Sequence, residues 1–242
     1  MNFFNSIINF FVDGGFWMYP ILLVGSVGLA IGVERFITLS NIEKKNRKMW
    51  NELQPVLYQG DFDKARKMTR EDKSTISQLL MMGLERQGSV RRREDIEIVM
   101  EEEMMAIIPQ VEKRTAYIAL FANLATLIGL LGTIVGLIQA FDAVANAAPA
   151  EKANLLSASI AVAMNTTAFG LIVAIPLLIV HMFLTTKASA IIDSLEMASL
   201  RTLNLISFSS SKQQQVGDST GKYKQVGDST GKQKAVEHGQ KT

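Results

Sequence analysis

The sequence predicts an all-α integral membrane protein in which three transmembrane helices continue into long cytoplasmic helices. The chain has 242 residues, 48% of them hydrophobic, and a positive mean hydropathy. The apolar residues form three blocks, and two of these, 116–141 and 160–184, contain no formally charged side chain. About 20 apolar residues suffice to cross a bilayer core about 30 Å thick. Each block is therefore long enough to span a membrane, whereas a soluble helix rarely stays uncharged on every face.

Positive charge is distributed unevenly along the chain and predicts its orientation. Of the 25 Lys and Arg residues, 15 lie between Glu43 and Thr115, and eight follow Leu184. Because Lys and Arg accumulate on the cytoplasmic side of membrane proteins, these two segments are predicted to be cytoplasmic. We expect a multi-pass membrane protein whose N-terminus faces outward and whose C-terminus is cytoplasmic.

The first two elements are an interfacial helix and a transmembrane helix. Residues 1–15 place apolar side chains at helical spacing, which predicts an amphipathic helix on the outer leaflet that ends at Gly14 and Gly15. Transmembrane helix 1 is predicted over 16–42, because Trp17 and Tyr19 suit the membrane interface at its start.

Residues 43–115 are predicted to form a cytoplasmic helical region. Breaks at Gly60 and near Gly88 divide it into about three helices. The last of these is expected to run straight into the second span, with a kink at Pro109.

The rest of the chain divides by hydropathy into five segments. These are transmembrane helix 2 at 116–141, an outward-facing loop at 142–158, transmembrane helix 3 at 159–184, a cytoplasmic helix extension at 185–207, and a disordered tail at 208–242. The tail repeats the sequence VGDSTGK at 216–222 and 226–232. A polar, glycine-containing repeat of this kind is typical of disorder.

Composition excludes several classes of chemistry. The chain has no cysteine and only two histidines, His181 and His238, so disulfides, thiol nucleophiles and multi-histidine metal centres are not expected. No cluster of nucleophile, acid and base and no cofactor motif is recognisable. We therefore expect a protein that is not an enzyme and has no resident cofactor.

Glycines at helical spacing mark two of the spans as helix-packing surfaces. Small residues four positions apart let membrane helices approach closely. Three spans are expected to be too few to cover this surface within one subunit, which predicts a tight homo-oligomer. The glycines are Gly25, Gly28 and Gly32 on the first span and Gly129, Gly132 and Gly136 on the second.

Polar residues inside the second and third spans are candidates for an ion pathway. They are Thr133, Asn165, Thr166 and Thr167. Thr133 and Thr167 each lie about eight residues, or about 12 Å, from the outer end of their span, so antiparallel helices bring them to one depth. Alternatively, each hydroxyl bonds a carbonyl of its own or a neighbouring helix.

Neither span contains an Asp, Glu, Lys or Arg, although ion pathways usually contain an ionisable group. A titratable carboxylate would therefore come from another chain. His181 is the only local candidate. It lies on roughly the face of Thr167 but close to the cytoplasmic interface, where a position among the lipid headgroups is favoured.

Two motifs resemble those of the MotA/TolQ/ExbB ion-channel family. They are GLLGTIVG at 129–136 and TTAFGLIVAIP at 166–176, and the resemblance covers roughly 16–207. With its three spans, the chain resembles the ExbB and TolQ branch of this family. The resemblance implies a homopentameric ring around two copies of an ExbD- or TolR-like single-span partner that carries a membrane aspartate. It also implies that Thr133 and Thr167 line the pathway, and that a TonB-like protein acts further downstream. The resemblance further implies a location in the bacterial inner membrane, with a periplasmic N-terminus, a periplasmic loop at 142–158 and a cytoplasmic C-terminus. We expect contacts with membrane lipid and none with nucleic acid.

One departure bears on the transported ion, which is Na⁺ or H⁺. ExbB and TolQ proteins usually have a glutamate where this chain has Val162, and the pair Thr166 and Thr167 resembles sodium-driven members. Because dehydrated sodium needs several oxygen ligands, we expect Na⁺ at Thr133, Thr166 and Thr167.

The function implied by the resemblance is a motor subunit that couples this ion flow to mechanical work on a periplasmic partner, as in TonB-type energised transport. A passive membrane scaffold and a flagellar-type stator subunit are the alternatives.

Overall fold

The computed structural model describes residues 14–87 and 93–238, and most of them are helical. The helices in chain order are α1 (Met18–Tyr58), α2 (Phe62–Glu71), α3 (Thr75–Arg86), α4 (Arg93–Glu112), α5 (Thr115–Asn146) and α6 (Lys152–His238). Among the described residues, three segments are long and apolar enough to cross a membrane: Met18–Tyr58, Arg93–Asn146 and Lys152–Phe208. The all-α membrane fold class is thus confirmed.

The chain divides into two compact units. The first unit consists of Met1–Glu43 and Ile108–Ile192, and the second consists of Lys44–Ile107 and Asp193–Thr242. The helices α1, α4 and α6 each contribute residues to both units.

Many small residues lie in the interior of the first unit, and many of its large apolar side chains face outward. Ala122 and Ala125 of α5 and Ala163 of α6 are buried, but Ile138 and Ile179 are more than half exposed. A water-exposed surface with this many large apolar side chains would be unfavourable. The same surface is suited to the hydrocarbon core of a bilayer.

The second unit has a core of larger side chains and a polar cap at the start of α3. Leu79, Leu80 and Leu84 of α3 are fully buried. Ser74 caps this helix, its hydroxyl accepting from the Ser77 amide at 3.3 Å. Asn46 of α1 adds an acceptor for the Ile76 amide at 3.2 Å. These side chains satisfy amides that a helix start leaves without partners.

The predicted break at Gly60 is present, and a further break was not foreseen. Gly60 has φ +75°, in the left-handed region that glycine tolerates. The additional break at 72–74 separates α2 from α3. Region 43–115 therefore contains the end of α1, all of α2, α3 and α4, and the first residue of α5, instead of about three helices. Asp72 and Ser74 end one helix and start the next through local hydrogen bonds, which compete with helix continuation.

The predicted continuous helix from α4 into the second span is wrong. Pro109 lies inside α4, and the interruption falls at Lys113 and Arg114, where Arg114 has φ +64°. The Val111 carbonyl would accept from residue 115 in a continuous helix, and here it accepts from the buried guanidinium of Arg35 on α1. A donor from another helix thus satisfies the end of α4.

The loop between α5 and α6 comprises 147–151 and is shorter than the predicted 142–158. Residues 142–146 continue α5, and the Asn146 amide group donates to the Asp142 carbonyl at 3.1 Å. Hydropathy locates the membrane-embedded part of a helix, whereas the helix itself continues into the polar region beyond it.

The two ends of the chain were also assigned from sequence. Residues 1–13 of the predicted amphipathic helix at 1–15 lie outside the described residues. Its last two residues, Gly14 and Gly15, are described and are not helical. The backbone of α6 continues through 185–207 and remains helical to His238, where a disordered tail was predicted. An established helix adds one hydrogen bond for each further residue, and the tail has no proline to interrupt it.

Asp72 makes the cap of α3 sensitive to acid. Its carboxylate accepts from the Ser74 amide at 2.9 Å and the Ser77 hydroxyl at 2.7 Å. Burial raises the pKa of Asp72, but hydrogen bonds from Ser74, Ser77 and Lys73 outweigh it and hold this pKa below its ordinary value of 3.8. A lowered folded-state pKa means that the ionised carboxylate stabilises the fold at neutral pH. This contribution is lost as the pH falls through the folded-state pKa.

We predict that Asp72→Asn lowers the Tm of the detergent-solubilised protein at pH 7, and that its difference from wild type narrows as the pH approaches 3. Circular dichroism melts across this pH range measure both effects. Asp63→Asn is the matched control, because Asp63 is almost fully exposed and its pair with Arg66 contributes little. Equal Tm values for Asp72→Asn and wild type at pH 7 would contradict the assigned role.

Candidate functional site

The helices α5 and α6 approach each other backbone to backbone in the first unit. A Cβ atom built on Gly129 would lie 3.3 Å from the Gly170 Cα, and one built on Gly170 would lie 2.8 Å from the Ala125 carbonyl oxygen. A Cβ on Gly136 would lie 3.2 Å from the Ala163 Cβ. Numbers rise on one helix as they fall on the other, so the two helices are antiparallel. We call the contact formed by these five residues the α5–α6 seam.

Thr167 lies at the seam and bonds across it. Its hydroxyl donates to the Gly129 carbonyl at 3.0 Å, and its side chain is half-buried. The hydroxyl oxygen keeps its lone pairs while it donates. It can therefore still accept a hydrogen bond from water or contribute an oxygen to a cation.

Thr166, although adjacent in sequence, is buried inside the subunit. It is 2% exposed, and its hydroxyl bonds the carbonyl oxygens of Val162 and Gly14, each at 3.0 Å. Its methyl group fills the space above Gly132, where an added Cβ would lie 2.5 Å away. Thr166 therefore connects α6 to the turn that precedes α1 and is not open to an ion.

Thr133 lies on α5 at nearly the same level as Thr167 on α6. Its hydroxyl donates to the Leu130 carbonyl of its own helix at 2.6 Å. The contacts between the two helices pair Gly129 with Gly170, Gly132 with Thr166 and Gly136 with Ala163. In this register Thr133 lies within about two residues, or about 3 Å, of the level of Thr167.

Thr133 and Thr167 also lie on the same side of the seam. Thr133 follows Gly129 by four residues and Thr167 follows Ala163 by four, and each step turns a side chain by about 40° around its helix. Because the helices are antiparallel, the two rotations lead to the same side. Leu130 and Leu171 on this side are exposed. The two hydroxyls therefore border a surface on which another helix could pack.

Asn165 is not brought together with these threonines. It precedes Thr167 by two residues, which places it about 200° around α6 from Thr167, and its side chain is half-buried. It therefore lies on a different face of α6.

Glycines on α1 pack against the other spans of the same chain. A Cβ on Gly25 would lie 2.5 Å from the Val173 side chain, and one on Gly32 would lie 3.1 Å from that of Val180. Each of the six predicted packing glycines faces a neighbouring helix within the chain: Gly25, Gly28, Gly32, Gly129, Gly132 and Gly136. The inference that three spans could not cover these glycines is wrong, and it no longer supports a homo-oligomer.

Sequence reasoning missed Gly170 and Arg35. Gly170 completes the seam and lies four residues after Thr166, so its small-residue spacing within the third-span motif could have identified it. Arg35 is 3% exposed and bonds the Val111 carbonyl. No local pattern signals this contact, because its partner is 76 residues away in the chain.

The seam supplies hydroxyl groups but no titratable side chain. Hydroxyls can orient water and stabilise a passing ion, but they do not exchange protons near neutral pH. The residues of 116–141 and 160–184 include no Asp or Glu. Among the described residues, no cluster of three His, Cys, Asp or Glu could hold a metal ion.

Comparison with known proteins gives one family and two relatives. The model of the MotA/TolQ/ExbB proton channel family matches residues 71–197, which is more than half of the chain and includes the seam. The chain is 25% identical over 199 residues to a biopolymer transport protein ExbB homolog of Methanothermobacter thermautotrophicus, covering 81% of this chain and 69% of that protein. It is 36% identical over 89 residues to the biopolymer transport protein exbB1 of Vibrio cholerae, covering 37% of each.

We predict that Gly170→Ala separates α5 from α6 and destabilises the chain by about 1–3 kcal/mol, as overpacking does. The new Cβ would lie 2.8 Å from the backbone oxygen of Ala125, which cannot move independently. Gly32→Ala is the matched control, because its Cβ meets only the end of the Val180 side chain. Thermal unfolding in detergent measures both variants, and equal effects would contradict the importance of the seam.

Proposed function

Because the chain belongs to the MotA/TolQ/ExbB proton channel family, we propose that it is the multi-span channel subunit of an inner-membrane motor. In this proposal, proton flow along the α5–α6 seam drives mechanical work on a periplasmic partner. Thr167 carries the proposal, because its hydroxyl is fixed at the seam by the Gly129 carbonyl, with Thr133 on the same side. The named relatives are biopolymer transport proteins, so energised transport, as by a TonB-like protein, is the proposed work.

The carboxylate of the pathway comes from a partner in this proposal. Proton movement through a membrane needs an ionisable group, and residues 116–141 and 160–184 have no carboxylate. An ExbD- or TolR-like helix carrying an aspartate would pack on the side of the seam that holds both hydroxyls. Exposed Leu130 and Leu171 offer it an apolar contact.

The proposed orientation follows from charge. The basic segment 43–115 and the end of the chain lie in the cytoplasm, and the N-terminus and the 147–151 loop lie in the periplasm.

The arrangement of the threonines favours the proton as the transported ion. The expected sodium site used Thr133, Thr166 and Thr167, but Thr166 is buried and bonded to two carbonyl oxygens. The two remaining hydroxyls are too few to replace the hydration shell of sodium without many other oxygens. Proton movement requires only water next to the two hydroxyls and a carboxylate from the partner.

A homopentamer with two partner helices is the proposed assembly. The large apolar side chains on the outer faces of α1, α5 and α6 provide contact area for neighbouring copies. We predict that native mass spectrometry of the co-purified complex gives five copies of this chain with two of the partner. A monomer that retains the partner would contradict the ring.

We predict that Thr167→Val lowers proton flux at least about tenfold, which corresponds to about 1.4 kcal/mol in the barrier. The measurement uses proteoliposomes that contain the chain with its partner. Assembly should persist, because one interhelical hydrogen bond in a membrane contributes only about 0.6 kcal/mol. Thr167→Ser keeps the hydroxyl and should retain most of the flux.

Thr186→Val is the matched control, because the Thr186 hydroxyl is exposed and bonds only its own helix. Full flux through Thr167→Val would contradict the role of Thr167, and absence of proton flux in wild type with its partner assembled would favour a passive scaffold. Flux that follows the sodium gradient and not the pH gradient would reverse the assignment of the ion.

A further inference from the structure

The first unit contains a cavity of about 230 Å³ at the start of α5 and beside residues 181–188 of α6, far from the 147–151 loop. It is lined by Glu112, Thr115, Ala116, His181, Thr185 and Ala188. These residues belong to α4, α5 and α6, and none of them is part of the α5–α6 seam.

A buried hydroxyl without a partner points to a ligand in this cavity. Thr115 is 6% exposed, and its Oγ1 has no hydrogen-bond partner within the described structure. Buried polar atoms in proteins are nearly always bonded to protein or to ordered water. Thr115 is also the first residue of α5, and Arg114 before it supplies no side-chain cap. Amides in the first turn of a helix need partners as well.

Water is the ligand that satisfies every polar group of the cavity. Thr115 and Thr185 can donate or accept, His181 can do both, and the Glu112 carboxylate accepts. An anion would be repelled by Glu112, and one carboxylate with one imidazole is too few for a structural metal site. A water molecule occupies about 30 Å³ in the liquid, so the cavity has room for several.

The titratable groups that line the cavity are Glu112 and His181. Three charged groups on the adjoining elements are engaged with other partners: Arg35 with the Val111 carbonyl, Arg114 with Glu34 at 3.7 Å, and Lys187 with Glu43 at 2.9 Å. Lys113, next to Glu112, is exposed. Histidine is the side chain that commonly exchanges protons near neutral pH. Glu112 is exposed, so it connects the cavity to the surrounding solvent.

The cavity also lies in line with the pathway. His181 follows Thr167 by fourteen residues, which places it about 21 Å along α6 and within about 40° of the same face. In the proposed orientation this is the cytoplasmic end of the spans. A proton that has passed Thr167 on this face of α6 would next meet His181.

We propose that this cavity is a hydrated proton-transfer site through which His181 and Glu112 pass protons from the pathway to the cytoplasm. The proposal rests on the proposed proton flow. A hydronium ion gives its proton to the neutral imidazole of His181 and becomes water. The imidazolium then passes this proton, through water held by Thr115, to the Glu112 carboxylate. The resulting carboxylic acid releases the proton to cytoplasmic water, so both side chains return to their starting states.

The test measures proton flux in proteoliposomes that contain the chain with its partner. His181→Ala should lower flux at least about tenfold, because a positioned acid–base group is removed, and imidazole added on the cytoplasmic side should restore it. Rescue distinguishes proton transfer from a structural role, since free imidazole replaces the chemistry but not the packing. Thr115→Val and Glu112→Gln should also lower flux. Thr186→Val and His238→Gln are the controls and should match wild type.

The outcomes separate this proposal from the proposed function. If Thr167→Val loses flux but His181→Ala keeps it, or loses it without rescue by imidazole, the proton-transfer site is refuted and the channel function stands. If wild type carries no proton flux with its partner assembled, the channel function fails and this site fails with it. An experimental structure should show ordered water bonded to Thr115 Oγ1, and a dry cavity would overturn the proposal without reference to flux.

Discussion

The backbone contact of Gly129 with Gly170 is the constraint on which the site depends. At this distance no side chain fits between α5 and α6, because an added Cβ on Gly170 would lie 2.8 Å from a carbonyl oxygen. The same contact brings the Thr167 hydroxyl within 3.0 Å of the Gly129 carbonyl. Small residues allow this in a membrane, where packing and hydrogen bonds replace the hydrophobic effect between helices. The position of the Thr167 hydroxyl thus depends on Gly129 and Gly170 having no side chains.

The distribution of charge explains why conduction would depend on a partner. The spans have hydroxyls at their centre and no carboxylate, whereas Arg35, Arg114 and Lys187 lie at one end of the first unit, each bonded to another group. An apolar seam with two hydroxyls presents a high barrier to a proton. A carboxylate brought by another helix lowers this barrier only while that helix is in place. In the proposed function, such a subunit would not dissipate the proton gradient before its partner is in place.

Composition and periodicity were sufficient for the fold class, because uncharged blocks and glycine spacing are local properties of the sequence. The partners of those glycines were not local. Gly25 and Gly32 face Val173 and Val180 of the same chain, whereas the spacing alone suited a neighbouring copy equally well. Arg35 shows the same limit, since its contact with Val111 ends a helix that hydropathy predicts to continue. Spacing thus identifies a packing face, and only the three-dimensional arrangement identifies its partner.

Thr166 and Thr167 show why two adjacent hydroxyls do not make one ion site. Neighbouring residues on a helix point about 100° apart, so when Thr167 borders the seam, Thr166 faces the turn before α1. There its hydroxyl bonds the Gly14 carbonyl in a buried position. Turning Thr166 towards an ion would leave that carbonyl without this bond, at a cost of about 1–3 kcal/mol. A sodium ion would have to compensate for this loss before it gained a ligand, whereas a proton moving through water beside Thr167 requires no such change.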